Sequence, residues 1–212
     1  MKKKILCIIP ARGGSKRLRN KNILSFFGKP IINYTINSAI SSRLFKKIVV
    51  SSDNIKVKKI IKKNKIVFFS KRSKKLSSDK ASVNSVCLHV LKEEKKLGNN
   101  YDIVCCLYPN SPLRDKSDII NTANKLLKNK TNFAIAVTEY HYPVHQALFK
   151  KGKNLVPVWQ KKINKQNLKT NFFVDNGSTY FANVKSFFKK KTFYGDSLQG
   201  HYMRKTKSID LN

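Results

Sequence analysis

Short apolar runs alternate with segments of helical period through most of this chain, and that alternation limits the folds open to it. Residues 4–10 form an apolar run that leads into a glycine-rich basic loop. From Pro30 to Ser42 the residues Ile32, Ile36, Ala39 and Ile40 recur at helical spacing, with Pro30 suited to a first helical turn. Residues 47–51 (KIVVS) read as a buried strand. A helix is predicted after Asp53, with Val57, Ile60 and Ile61 on one face, and residues 66–69 read as another strand. Residues 82–97 give the clearest helix, its stripe made by Val83, Val86, Cys87, Val90 and Leu91. A strand at 103–107, a helix at 117–127 with Ser117 as its N-cap, and a strand at 133–137 complete the pattern. Strands alternating with helices of this length predict parallel βαβ units in a three-layer, mostly parallel α/β sheet. Residues 1–212 read as a single domain. Residues 139–172, rich in Lys and Asn, break the alternation and are expected to form an arm or hairpin that leaves the sheet. Residues 179–182 are predicted to return to it, and residues 202–203 read as a weak last strand.

Charge narrows the function less than it first suggests. The chain carries 45 basic and 11 acidic residues, a net charge of +34, which invites a nucleic-acid reading because polycations release counterions from phosphate backbones. Yet 38 of the 45 are lysines spread over the whole length, without a face that clusters basic and aromatic residues. That is the pattern of a drift in overall composition, and no specific nucleic-acid partner is expected. The charge still favours anionic substrates. Cys7, Cys87, Cys105 and Cys106 follow no metal spacing and fall in apolar stretches, so they read as buried, reduced thiols. The chain contains no apolar run of membrane-spanning length, and the apolar run at its start is too short for a signal peptide. A cytoplasmic protein with no membrane partner is expected.

The first candidate site is Pro10-Ala11-Arg12-Gly13-Gly14-Ser15-Lys16-Arg17, followed by Lys21-Asn22. It begins where the first strand should end, and open α/β sheets bind ligands at the carboxyl ends of their strands. Gly13 and Gly14 let the backbone bend and approach a phosphate, while Arg12, Lys16, Arg17 and Lys21 surround it with cations. The run is neither GxGxxG nor the Walker pattern. The alternative is a basic surface loop with a glycine turn.

The run IIPARGGSKRLRNKN, followed by FGKPIINYTINSAISS and IVVSSDN, resembles the opening of the cytidylyltransferases that activate sialic acids and related nine-carbon sugars. Further segments follow in the family's order. Arg72 with Leu76-Ser77-Ser78-Asp79 is similar to its Arg-Pro…Leu-Ala-x-Asp segment. Leu107-Tyr108-Pro109-Asn110-Ser111-Pro112-Leu113-Arg114 is similar to its Pro-Thr-Ser-Pro-Leu-Arg segment. Asp175-Asn176-Gly177-Ser178 resembles its Asn-Gly turn, and Ser208-Ile209-Asp210 its Ser-Ile-Asp-x-Asp segment. The resemblance covers essentially the whole chain.

It implies a nucleotide-diphosphosugar-transferase-like fold with a projecting dimerisation arm, and a homodimer. It implies a reaction in which the anomeric hydroxyl of a sugar acid attacks the α-phosphate of CTP with Mg²⁺ assistance, releasing pyrophosphate. Arg12, Lys16 and Lys21 then match phosphate contacts, with Lys21 nearest the chemistry, and Ala11, Gly13, Gly14 and Ser15 belong to the same nucleotide-binding loop. Asn22 and Arg72 match nucleotide-holding positions, although Arg72 alone also reads as a solvated cation. Asp210 matches a metal ligand. Asp53 matches a segment near the metal, with helix N-cap as its other reading. Where the family has a second Asp this chain has Asn212, whose amide oxygen carries no charge. The family's chains run on into a further helix, so a shortened chain or an impaired metal site is expected.

On the sugar side the resemblance points to Tyr108, Asn110, Ser111, Asn176 and Gly177. Lys165 stands about where a carboxylate-binding Arg is expected. Tyr108 reads equally as strand-end packing, and Lys165 as a solvated side chain. Tyr108 and the Pro143–Leu148 stretch lean toward the pseudaminic acid branch, whereas the Asn-Gly-Ser turn leans toward the sialic and legionaminic branches. Two other readings stay open: a basic nucleic-acid-binding protein, and the eight-carbon Kdo cytidylyltransferase, whose loop lacks the Gly-Gly-Ser-Lys run.

Overall fold

Strand β1 (Ile5–Pro10) is buried on both faces, and its alternating side chains feed two separate cores. In the computed structural model, which describes residues 3–209 and 211 apart from 16, 17, 19, 62–65, 141, 143 and 159–171, the remaining elements follow in βα alternation. They are a small hairpin of β2 (Ser25–Phe26) and β3 (Lys29–Pro30), then α1 (Ile31–Ser42), β4 (Lys47–Ser52), α2 (Ile55–Ile61) and β5 (Val67–Lys71). Next come α3 (Lys74–Ser77), α4 (Val83–Lys96), β6 (Ile103–Leu107), α5 (Lys116–Lys128) and β7 (Phe133–Glu139). The last are β8 (Leu148–Lys151), β9 (Asn154–Pro157), β10 (Phe173–Asn183), α6 (Val184–Lys190) and β11 (Leu198–Tyr202).

Seven strands make one sheet in the order β11-β7-β10-β6-β1-β4-β5. Only β10 runs antiparallel to its neighbours, β6 and β7. Ile5, Cys7 and Ile9 of β1 pack with α1, α2 and α5 through Ile32, Ile36, Val57, Ile119 and Ala123. Leu6 and Ile8 pack on the other face with Cys87, Val90 and Leu91 of α4 and Phe187 of α6. This is the expected three-layer, mostly parallel α/β architecture. All four cysteines are buried and unbridged, with Cys7 level with Cys105 on the neighbouring strand. No helix among the described residues is long and apolar enough to cross a membrane.

The structure corrects the sequence reading at three boundaries. Asp115, not Ser117, caps α5: its Oδ1 accepts the N–H groups of Ser117 (2.8 Å) and Asp118 (3.2 Å). The Asp118 carboxylate returns to the Asp115 N–H at 3.1 Å, closing a capping box. Strand β10 rejoins the sheet at Phe173, before the expected residue 179, because a register shift between Asp175 and Tyr180 absorbs the Asn-Gly turn. The last strand is Leu198–Tyr202, a run whose Gln, Gly and His conceal it from apolar periodicity; Gly200 lies close against Val137 of β7. Of the segment expected as an arm, β8 and β9 pair with each other outside the seven-stranded sheet, and residues 141, 143 and 159–171 of it lie outside the described residues.

One buried cation fixes the end of β6. Arg114 is 1% exposed. Its Nη1 donates to the carbonyls of Ser178 (2.6 Å) and Tyr108 (3.3 Å), and its Nη2 to Thr35 Oγ1 on α1 (2.8 Å). Burial pushes the guanidinium pKa down to about 10, which leaves it charged at neutral pH. Arg114→Met should cost about 2 to 4 kcal/mol, since hydrogen bonds from a charged donor contribute about 1.5–3 kcal/mol each and part is recovered by not burying a cation. The midpoint of urea denaturation checks this.

Candidate active site

A cavity of about 560 Å³ opens at the carboxyl ends of β1, β4 and β6, where the doubly wound topology puts ligands. Its wall gathers many of the residues singled out from sequence: Arg12, Ser15, Lys21, Asn22, Arg72, Tyr108, Asn110 and Gly177. These lie up to 165 positions apart in the chain and meet only because the strand ends are adjacent.

The glycine-rich loop is held from both sides. Ala11, fully buried, continues the β1 ladder by donating to the Ser51 carbonyl at 2.9 Å, and it does not reach the cavity. Asn22 is buried and its Nδ2 donates to the Arg12 carbonyl at 2.9 Å, so it braces the loop as well as lining the cavity. Gly13 lies so close to Asn54 that a Cβ would sit 3.1 Å from the Asn54 Cβ, whereas a Cβ on Gly14 would meet nothing within 4 Å. Packing therefore asks for glycine at 13, and leaves Gly14 facing open space.

Asp53 accepts the Gly13 N–H at 2.8 Å. The N-cap alternative fails, because it is the Asn54 side chain that accepts the Lys56 N–H at the start of α2 (2.8 Å). Arg72 is not a solvated cation. It is buried, with Nη2 donating to the Ser51 carbonyl at 2.9 Å. Burial pulls its pKa below the ordinary value, opposed by the attraction of Asp53. Arg12 makes a 2.8 Å ion pair with Asp79 across the cavity mouth.

Tyr108 fulfils both of its readings. Its ring packs at 5.2 Å on Tyr180 while it lines the cavity, and burial drives its hydroxyl well above the ordinary phenol range. Ser111 is buried off the cavity, and its hydroxyl finds no hydrogen-bond partner among the described residues. Asn176 is buried too. Its Nδ2 donates to Met203 Sδ (3.1 Å) and Ser208 Oγ (3.2 Å), and its Oδ1 accepts from the Ser178 hydroxyl (2.8 Å), which makes it a brace between β10 and the C-terminal segment. Lys16, Lys165, Asp210 and Asn212 lie outside the described residues. Leu211, between the last two, donates its N–H to the Asn110 carbonyl at 3.1 Å.

Sequence reasoning assigned no role to the other residues of this region. Asp79, Ala81, Val83 and Val86 line the same cavity, the two valines belonging to the start of a helix stripe that reads as pure core. Gly177 (φ +67°) also borders a second cavity of about 1170 Å³ with Asp175, Glu139 and Tyr142. The Asp175 carboxylate accepts the hydroxyls of Tyr180 (2.8 Å) and Tyr194 and the N–H of Gly177 (2.9 Å). In the sequence Asp175 stands out as the first residue of the Asp-Asn-Gly-Ser segment, and the scarcity of acids adds to that signal.

The description cytidylyltransferase belongs to a family model that matches residues 6–204. The pseudaminic acid cytidylyltransferase of Campylobacter jejuni is 36% identical over 189 residues, which cover 88% of this chain and 82% of that protein. The N-acylneuraminate cytidylyltransferase of Escherichia coli is 32% identical over 217 residues, covering 100% of this chain and 50% of that protein. In fold, the 4-diphosphocytidyl-2C-methyl-D-erythritol synthase of Anaerococcus prevotii matches with a TM-score of 0.70 at 12% identity, over 99% of this chain and 92% of that one. With a family model matched over most of its length and these relatives beside it, the chain belongs to the cytidylyltransferase family, in the group of enzymes named for acylneuraminic and pseudaminic acids.

Proposed function

We propose that this chain transfers a cytidylyl group from CTP to a nine-carbon sugar acid, with pseudaminic acid as its preferred acceptor. The observation that carries the reading is the single cavity in which Arg12, Lys21 and Arg72 converge with Tyr108 and Asn110. The anomeric hydroxyl forms a bond to the α-phosphorus, the bond to the β-phosphate oxygen breaks, and pyrophosphate leaves. Negative charge builds on the transferring phosphoryl group, and Lys21 is the cation assigned to meet it. Arg12 exchanges Asp79 for a triphosphate oxygen. The second cavity, behind Gly177, takes the sugar.

Asp53 stands at the glycine-rich loop and offers a hard carboxylate oxygen of the kind Mg²⁺ prefers, while among the described residues no three His, Cys, Asp or Glu side chains gather to hold a metal. Asp210, Asp53 and the amide of Asn212 are assigned to hold it, and the ion would supply positive charge at the triphosphate. The exposed apolar side chains of the arm, including Tyr142, Leu148 and Leu155, support a homodimer built through that arm.

Replacing Lys21 by Ala should lower the turnover number by ~10²-fold or more, the usual loss when a transition-state donor is removed, while CTP binding falls less. Pyrophosphate release and calorimetry measure the two; unchanged turnover in a folded variant would remove Lys21 from its role. Among sugar acids, pseudaminic acid should release pyrophosphate fastest and N-acetylneuraminic acid poorly. Equal rates would deny Tyr108 a selecting role. Light scattering at micromolar concentration should give the mass of a dimer, and Leu148→Glu with Leu155→Glu should give that of a monomer. A monomer before substitution would refute the arm's role.

A further inference from the structure

After β11 the chain turns back toward the cavity, and one lysine anchors it. Lys207 closes a short 3-10 turn (Lys205–Lys207), and its Nζ lies 2.6 Å from Asp115 Oδ2 and 3.2 Å from Asp118 Oδ2. Those are the two carboxylates of the α5 capping box. In a chain with 11 acids and 45 bases, two acids are committed to one of 38 lysines. The Asp118 side chain is only 8% exposed, and on its other side His201 of β11 approaches to 3.6 Å. Without Lys207, Asp118 would face Asp115 in a poorly solvated place with one cation fewer, a costlier loss than that of an ordinary surface pair.

From this anchor the segment reaches the site through few bonds. Ser208 Oγ accepts from Asn176 Nδ2 at 3.2 Å, and the Leu211 N–H reaches the Asn110 carbonyl at 3.1 Å. Asn110 is itself a wall of the nucleotide cavity.

We propose that Lys207 is a positioning residue: its bridge to Asp115 and Asp118 docks the C-terminal segment on helix α5 and so holds Leu211, and the ligand-bearing stretch around it, at the nucleotide cavity. The consequence for turnover rests on the function proposed above, since Asp210 is placed there as a metal ligand. Lys207 lines neither cavity. Its loss should act on turnover and on the response to Mg²⁺, and spare the affinity for CTP. The hydrogen bonds to Asp115 raise the Lys207 pKa. Burial works to raise that of Asp115, but Lys207, Ser117 and the helix amides outweigh it and hold it well below the carboxylate norm. A depressed carboxyl contributes stability above its unfolded value of about 4 and loses it only as the pH falls further, so the bridge is intact at neutral pH.

The test compares Lys207→Met, which keeps the stem and removes the charge, with Lys207→Arg, both in the full chain. Amide hydrogen exchange of residues 208–211 is read without metal or substrate, and pyrophosphate release is read against Mg²⁺ concentration. In Lys207→Met, exchange of that stretch and the half-saturating Mg²⁺ concentration should each rise about tenfold, the equivalent of ~1.4 kcal/mol of local opening. The KM for CTP should stay within about twofold, since the change falls outside the nucleotide contacts. Lys207→Arg should restore both readings. Unchanged exchange in Lys207→Met overturns the proposal, and so does faster exchange spread evenly over the chain with a lowered Tm, which marks a merely structural role. If the unaltered protein released no pyrophosphate with any nine-carbon sugar acid, the proposed function would fail while the exchange comparison still decided whether Lys207 docks the segment.

Discussion

The guanidinium of Arg114, shut away from water, ties the end of β6 to β10 and α1, and the cavity wall is built on that tie. It binds the carbonyls of Tyr108 and Ser178, one at the end of β6 and one on β10, together with the Thr35 hydroxyl on α1. The Ser178 carbonyl also accepts the Tyr108 N–H at 3.0 Å, so the guanidinium reinforces the pairing of β6 with β10 where it ends and adds a donor to the Tyr108 carbonyl beyond it. A rigid fork with several donors can satisfy carbonyls that regular pairing leaves over. By fixing Tyr108 and Ser178 it fixes Asn110 and Gly177, which follow or precede them by a residue or two and form the cavity wall. The burial of one charge is thus offset by bonds that shape the site.

Scarcity gives the acids a second role of the same kind. With a net charge of +34, most side chains repel one another at the surface, and each carboxylate is a place where that field is locally cancelled. Several stand at junctions. Glu94, buried on α4, accepts from Lys47 of β4 at 2.7 Å, from Asn99 at 3.0 Å and from Tyr101 at 3.1 Å. Asp102 receives the backbone N–H of Lys4 at 2.7 Å, which joins the approach to β6 to the approach to β1. Asp53 receives the Gly13 N–H, and Asp175 gathers two tyrosines. Exposed lysines, by contrast, can change in number with little effect on packing, because their heads remain in water.

That division explains what could be read from the sequence. Strands whose two faces are buried, such as β1 and β6, appear as unbroken apolar runs, and α1 and α4 carry apolar stripes, so the layers and their order were legible. That the glycine-rich loop lies at the carboxyl end of β1 beside a cavity was legible from its place in the sequence. Boundaries decided by long-range partners were not. Ser117 is a good cap by type, but Asp115 wins because Lys207, 92 positions away, holds its carboxylate at the helix end. Strand β11 is polar and exists because β7 offers a free edge that Gly200 can approach closely. Arg72 was ambiguous for the same reason, since nothing near it in sequence announces that Ser51 will enclose it.

The two cavities that meet at Gly177 differ in charge, and the difference bears on how two anionic reactants would be kept apart. On the side of the glycine-rich loop the wall presents Arg12, Lys21 and Arg72, with Asp79 paired to the first of these. On the other side the described wall has no Lys or Arg and includes Glu139, Asp175 and two tyrosines, Tyr140 and Tyr142. A triphosphate carries far more charge than a single carboxylate, so the cationic side discriminates for it strongly while the acid-lined side opposes it. The second side instead offers carboxylate and hydroxyl oxygens to hydroxyl and amide donors, which a polyhydroxylated, acylated sugar has in number. Gly177, at φ +67°, lines both cavities, and a Cβ there would meet nothing within 4 Å, so its glycine is required by the backbone turn and not by crowding. The Asn-Gly turn thus stands at the boundary of two cavities whose walls differ in charge.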